Sequence, residues 1–181
     1  MSTTRQRQSS SSIVIRFCLA VLSLSSAGLA SSADQEAEAV RARYEGVFAL
    51  QEWHTDSGVF RPPQVEGRSV HLNGVIAVIT HNRMQEATQT TVASYGTYVL
   101  DGTQFSYRYD EPSVFTQTSS GITVSHKAPW EGMRAFSVSR EGDTARFRAI
   151  TGEQEFLLTA DGFTYSDKGK VLRVWRRVAP Q

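Results

Sequence analysis

Arg68 and His81 stand on either side of Asn73-Gly74, and four aromatic residues, Tyr98, Phe105, Tyr107 and Tyr109, flank Asp101-Gly102. These six side chains are the ones whose types and spacing could hold a small molecule. A two-residue loop at Asn73-Gly74 pairs Leu72 with Val75, Val70 with Ala77 and Arg68 with Ile79. One face of that hairpin then carries Arg68, Val70, Leu72, Val75, Ala77, Ile79 and His81. Turned inward, it sets two nitrogen donors at one end of an apolar wall. A buried guanidinium must be paired or solvated. Arg68 and His81 could therefore anchor an anionic or carbonyl group, or pair with a local carboxylate such as Glu66 in a purely structural role. The opposite assignment, with Ile76 and Val78 inward, is the alternative.

The same step at Asp101-Gly102 pairs Leu100 with Thr103, Tyr98 with Phe105 and Gly96 with Tyr107. It places Gly96, Tyr98, Leu100, Phe105, Tyr107 and Tyr109 on one face, expected inward. Tyrosines offer an apolar ring with a polar tip, which suits a small-molecule pocket as well as it suits ordinary filling of a small barrel. Around Gly142-Asp143, Val138 pairs with Phe147 and Phe136 with Ala149. Around Asp161-Gly162, Leu158 pairs with Tyr165. Phe136, Val138, Phe147, Phe156, Leu158 and Tyr165 also go inward, and Arg146 and Arg148 go outward to water.

Other chemistry finds little footing. His54, His71, His81 and His126 sit on separate expected strands without metal-ligand spacing, so no metal is expected. Nucleophile-elbow, phosphate-loop and His-Glu-x-x-His patterns are absent, and no cofactor is implied. No residue is assigned a catalytic role. Asp110-Glu111 are adjacent on a strand and point to opposite faces, so they do not form a carboxylate dyad. Trp130, in Ala-Pro-Trp-Glu-Gly, falls in a loop that could cap a barrel mouth or lid local core.

The elements that must position these residues are short strands. Seven turn dipeptides, from Asn73-Gly74 to Lys168-Gly169, separate runs rich in Val, Ile, Thr, Tyr and Phe. Such frequent reversal predicts an antiparallel meander, which removes its edges by closing into a barrel. The expected fold is all-β, an up-and-down barrel of about 8–10 strands. A short helix over 34–45, with acids first and arginines last, precedes it. Residues 55–67 read as a loop, 82–91 as a loop or one helical turn, and 111–120 as irregular.

Residues 1–33 have the layout of a secretory signal peptide. Arg5, Arg7 and Arg16 lead, Phe17 to Leu24 form an apolar run too short to span a bilayer, and small residues follow. The domain is then 34–181, secreted or periplasmic, with no stable membrane span after cleavage. Without the three leader arginines the balance is 16 basic against 18 acidic residues. No basic stripe points to a nucleic-acid partner. The one cysteine, Cys18, lies in the leader, which excludes thiol catalysis and disulfides from the domain.

Three stretches bear a family likeness. Tyr44-Glu-Gly-Val-Phe-Ala-Leu50 looks like the Gly-x-Trp opening of the first lipocalin strand, with Phe48 where tryptophan is usual and Trp53 five residues on. Tyr95-Gly-Thr-Tyr-Val-Leu-Asp-Gly102 looks like the hairpin of lipocalin-like domains. Val174-Trp-Arg-Arg-Val178 is similar to their closing strand, whose arginine in lipocalins packs over the first-strand tryptophan; Arg173 or Arg176 would take that role. The chain thus resembles the lipocalin-like domain family of small bacterial barrels. The resemblance implies a small apolar or amphipathic ligand held inside. An isomerase or cyclase using the same cavity, with Tyr107 or His81 as acid or base, and a solid-core interaction module are the alternatives.

Overall fold

The structure is a computed structural model and describes residues 32–179. The expected leader falls outside these residues except for Ser32 and Ala33, which open a helix, α1 (Ser32–Tyr44). Thirteen strands follow. They are β1 (Gly46–Thr55), β2 (Gly58–Phe60), β3 (Val65–Leu72), β4 (Val75–Gln85), β5 (Thr88–Leu100), β6 (Gln104–Tyr109) and β7 (Ser113–Thr118). The chain continues through β8 (Gly121–His126), β9 (Arg134–Glu141), β10 (Thr144–Ala149), β11 (Gln154–Thr159), β12 (Gly162–Asp167) and β13 (Lys170–Arg177).

Ten of these strands close into an antiparallel barrel in chain order. β1, β3, β4, β5, β6, β9, β10, β11, β12 and β13 are hydrogen-bonded neighbours, and β13 returns to β1. β2 is a short flap on β1, and β7–β8 is a hairpin attached through β7 to the first half of β5. The all-β barrel and its short helix are therefore as expected. Three segments are more regular than expected: 55–67 contains β2 and the start of β3, 82–91 continues β4 and β5 around a tight turn, and 111–120 contains β7. The Thr-rich run at 88–91 favours the extended state. Pro112 stands just before β7, where it removes no ladder bond.

The turns are set by residues that accept positive φ. Asn73 and Gly74 have φ of 50° and 80°, and Leu72 pairs with Val75 across them, as the dipeptide demands. At Asp101-Gly102 the loop is displaced by one residue. The Asp101 carboxylate accepts from the N–H groups of Thr103 (3.0 Å) and Gln104 (2.8 Å), so Asp101 is the last paired residue and Gly102-Thr103 form the loop. The pairs become Leu100 with Phe105, Tyr98 with Tyr107 and Gly96 with Tyr109. A similar slip at Asp161-Gly162 pairs Leu158 with Phe163 and Phe156 with Tyr165. Both slips shift the pairing by two residues, which leaves every side chain on its expected face.

The helix closes one end of the barrel. Val40 and Tyr44, one turn apart on α1, are buried against the core rings of Phe48, Phe105 and Phe147. Arg41 donates to the Leu100 carbonyl (2.9 Å) and Arg43 to the Asp143 carbonyl (2.8 Å), which ties the helix to the β5–β6 and β9–β10 turns. Gly102 stands against Ala37 so closely that a Cβ there would lie 2.8 Å from the alanine methyl.

Candidate functional site

The face of β5 and β6 carrying Gly96, Tyr98, Leu100, Phe105, Tyr107 and Tyr109 does turn inward. All of these are buried except Tyr109, which is half-buried. The structure divides them by depth. Tyr98 and Phe105 belong to the packed core beneath the helix, with the Tyr98 hydroxyl donating to Glu45 at 2.6 Å. Burial, and then that carboxylate, push the Tyr98 phenol up to about 12. Tyr107 and Tyr109 lie toward the other end, where the interior is hollow.

The inward assignment of Arg68 and His81 is corrected. Arg68, Val70 and Leu72 are exposed, whereas Val65, Gly67, Ser69 and His71 are buried. On β4, Ile76, Val78 and Thr80 face the interior, and Val75 and Ile79 face out. The cause is the next strand. β4 pairs Ile76 with Gly96, so Ile76 must share the face of Gly96 and Tyr98. Arg68 makes only a bond to the Gly67 carbonyl (3.0 Å), and Glu66 pairs with Arg83 rather than Arg68. His81 bonds Thr91 across the outside of the wall (2.8 Å). Neither residue meets the tyrosines.

A cavity of about 270 Å³ occupies the interior between the helix plug and the opposite mouth. Its floor is Tyr44, Ser69 and His71, its walls include Ile76, Val78, Phe156, Phe163 and Trp175, and its mouth carries Tyr107, Tyr109, Trp130, Arg134, Tyr165 and Arg173. No carboxylate lines it.

The floor is locked. The Tyr44 carbonyl can only accept, so His71 Nδ1 carries the proton donated to it (3.1 Å), and Nε2 accepts from the Ser69 hydroxyl (2.8 Å). The imidazole stacks on the Tyr44 ring at 4.4 Å. Burial lowers its pKa from 6.5 to about 4, against the bond to Tyr44, so His71 is neutral at pH 7.

The mouth is positive and aromatic. Arg134 pairs across strands with Tyr107, and Arg173 with Tyr165 and Trp53. Arg134 Cζ lies 3.9 Å from the Trp130 ring centre, and Arg173 Cζ lies 3.6 Å from that of Trp53. A bulge at Gln51, between the Leu50 and Glu52 pairings, lets Trp53 share the inner face with Leu50. Burial lowers the Arg173 guanidinium to about 10, which leaves it charged. Burial also raises the phenols of Tyr107 (to about 12), Tyr109 and Tyr165, while the charge of Arg134 draws all three back down. At neutral pH each is a hydroxyl. Trp130, in the loop before β9, donates its N–H to the Tyr109 carbonyl (3.0 Å) and sets its ring edge-on to Tyr109 at 5.1 Å. It hangs over the opening.

Arg134, Arg173 and Tyr165 are therefore the mouth's polar groups, in place of Arg68 and His81. Alternation carries the signal for Arg134: Phe136 and Val138 point inward, and so must the residue two positions earlier. Arg173 has no such signal, because the face of β13 depends on its closure with β1. Among the described residues no three His, Cys, Asp or Glu side chains group to hold a metal ion. No helix there is long and apolar enough to cross a membrane. In comparisons with known proteins, no family model, curated protein or solved structure matches the chain.

Proposed function

We propose that this chain is an exported lipocalin-like barrel that binds one small apolar or amphipathic molecule in its interior. The observation that carries the reading is the aromatic-walled cavity of about 270 Å³, plugged by α1 at one end and opening at Arg134 on the other. Its size is close to the lower end of the range small-ligand pockets occupy, roughly 300 Å³ and above. Binding draws on burial of apolar ligand surface against Ile76, Val78, Phe156, Phe163 and Trp175, at about 25 cal/mol per Å² removed from water. Export is supported by the basic, apolar and small-residue order of residues 1–33. The catalytic alternative keeps Tyr107 in the cavity and loses His81, which lies on the outer side of the barrel wall.

Native mass spectrometry of the protein purified from an exporting host tests the reading. A co-purifying small molecule, lost from a Val78→Phe variant that fills the cavity yet melts within a few degrees of the parent, is the expected result. An empty barrel that also ignores a panel of apolar and amphipathic probes would overturn it.

A further inference from the structure

Two guanidiniums in this mouth have no acidic partner. The exposed ion pairs use Arg41, Arg43, Arg61, Arg83, Arg108, Arg146 and Arg148, and Arg177 is taken up by helix carbonyls. Arg134 and Arg173 alone line the cavity, and among the described residues neither has a carboxylate within ion-pairing distance. Asp167, the nearest acid by register, stands opposite Lys170 at the end of β12 and pairs with neither. Arg173 spends one nitrogen on the Leu172 carbonyl (3.1 Å) and lays its plane on Trp53, which leaves donors free.

The two arginines come from strands four apart in a ring of ten, β9 and β13, so they face each other across the opening. Both charges act on the Tyr165 phenol, which stands between them. The hydroxyls of Tyr109 and Tyr165 make no hydrogen bond to another described residue, and both line the cavity. Arg173 is half-buried beside these idle neutral donors, with the exposed Arg134 at the rim, and a half-buried guanidinium is unfavourable unless a negative group or water completes it. The wall below is mostly apolar and holds no cationic side chain, so the charge sits at the mouth.

We propose that Arg134 and Arg173 form an anion clamp, and that the molecule held is an amphipathic monocarboxylic acid whose chain enters the cavity and whose carboxylate stays between the two guanidiniums. The Tyr109 and Tyr165 hydroxyls supply further donors to the same oxygens, and Trp130 closes over them. This deepens the barrel-binding reading and rests on it.

Titration of tryptophan fluorescence with decanoate, decanol and decyltrimethylammonium tests the clamp, since Trp130 and Trp175 line the cavity. Decanoate is expected to bind about tenfold or more tighter than decanol, the scale of a charge-assisted hydrogen bond, and the cation more weakly than either. Arg134→Gln and Arg173→Gln should each lower decanoate affinity about tenfold with decanol affinity kept; an unchanged decanol affinity certifies that the variants are folded. Arg173→Lys should retain part of the preference. Equal binding of decanoate and decanol, or a preference that survives the double glutamine variant, overturns the clamp and leaves the barrel reading standing. If none of the three probes binds, both fall.

Discussion

Arg177, the last residue of the last strand, lies over the ring of Phe48 in the first, with its Cζ 4.9 Å from the ring centre. Its guanidinium also donates to the carbonyls of Glu45 (2.7 Å), Arg43 (2.6 Å) and Ala42 (3.2 Å). These carbonyls cluster at the C-terminal end of α1, where a helix leaves acceptors unsatisfied and favours a cation. One side chain thereby joins the closing strand, the opening strand and the plug. Gly46 makes room for it: a Cβ there would meet Arg177 Nη1 at 2.3 Å. The lipocalin-like resemblance led to Arg173 or Arg176 packing over the first-strand tryptophan; Arg173 does lie over Trp53, and Arg177 adds a second such contact over Phe48.

Replacing Arg177 with alanine should lower the unfolding free energy by about 2 kcal/mol, the scale of hydrogen bonds from a charged donor. Lysine should recover less than half, since an ammonium cannot fork between three carbonyls over a ring. Urea denaturation followed by far-ultraviolet circular dichroism measures both. A midpoint unchanged in the alanine variant would show that the helix plug does not depend on this contact.

His71 should make the fold acid-sensitive well above the carboxylate range. Its folded pKa, about 4, lies below the ordinary 6.5, so the unfolded chain takes up the proton first as pH falls. The stability it contributes is complete above pH 6.5 and declines as pH drops toward 4, by about 3 kcal/mol in all. A His71→Phe variant should lose that slope, whatever its stability at pH 7. Urea midpoints measured between pH 7 and pH 4.5 decide this, and parallel curves for the two proteins would contradict it.

Trp130 should govern escape from the cavity more than entry or folding. Its backbone, not its ring, ties the loop to Tyr109, so Trp130→Ala keeps the loop in place. It removes the ring beside Tyr107, Tyr109 and Arg134. Dissociation of a bound amphiphile, followed by stopped-flow displacement, should quicken about tenfold with the melting temperature nearly unchanged. An unaltered rate would make the tryptophan a piece of wall.

How far the fold was legible follows from strand periodicity. At Asp101 and Asp161 the true loops are displaced by one residue, because Asp101 turns its own side chain back onto the following N–H groups and because Gly162 opens β12 in close contact with β13. The resulting error of two in pairing preserves the alternation, so Tyr98, Phe105, Tyr107, Tyr109, Phe156 and Tyr165 face inward as expected. A strand has only two faces, and ring-bearing residues choose between them strongly when the other side is Thr, Gln, Ser and Arg.

That choice fails at β3 and β4. There both faces are apolar, and the inner one carries a glycine, a serine and a histidine that look like surface residues. Apolar content cannot rank such faces. What ranks them is the partner strand: Ile76 opposite Gly96, and His71 satisfied by Ser69 and by the helix carbonyl of Tyr44.

The chain's own residues determined most of the strands, the reversals and the inward aromatic wall, because these depend on contacts a few residues apart and on a period of two. Tertiary closure decided the partners of Arg173 at the mouth and of His71 at the floor. Arg173 meets Trp53 only when β13 returns to β1 and a bulge at Gln51 resets the face of β1, and His71 meets the Tyr44 carbonyl only when β3 packs against the end of the helix. No local pattern encodes that return, since Arg173 reaches Trp53, and His71 reaches Tyr44, from distant parts of the chain.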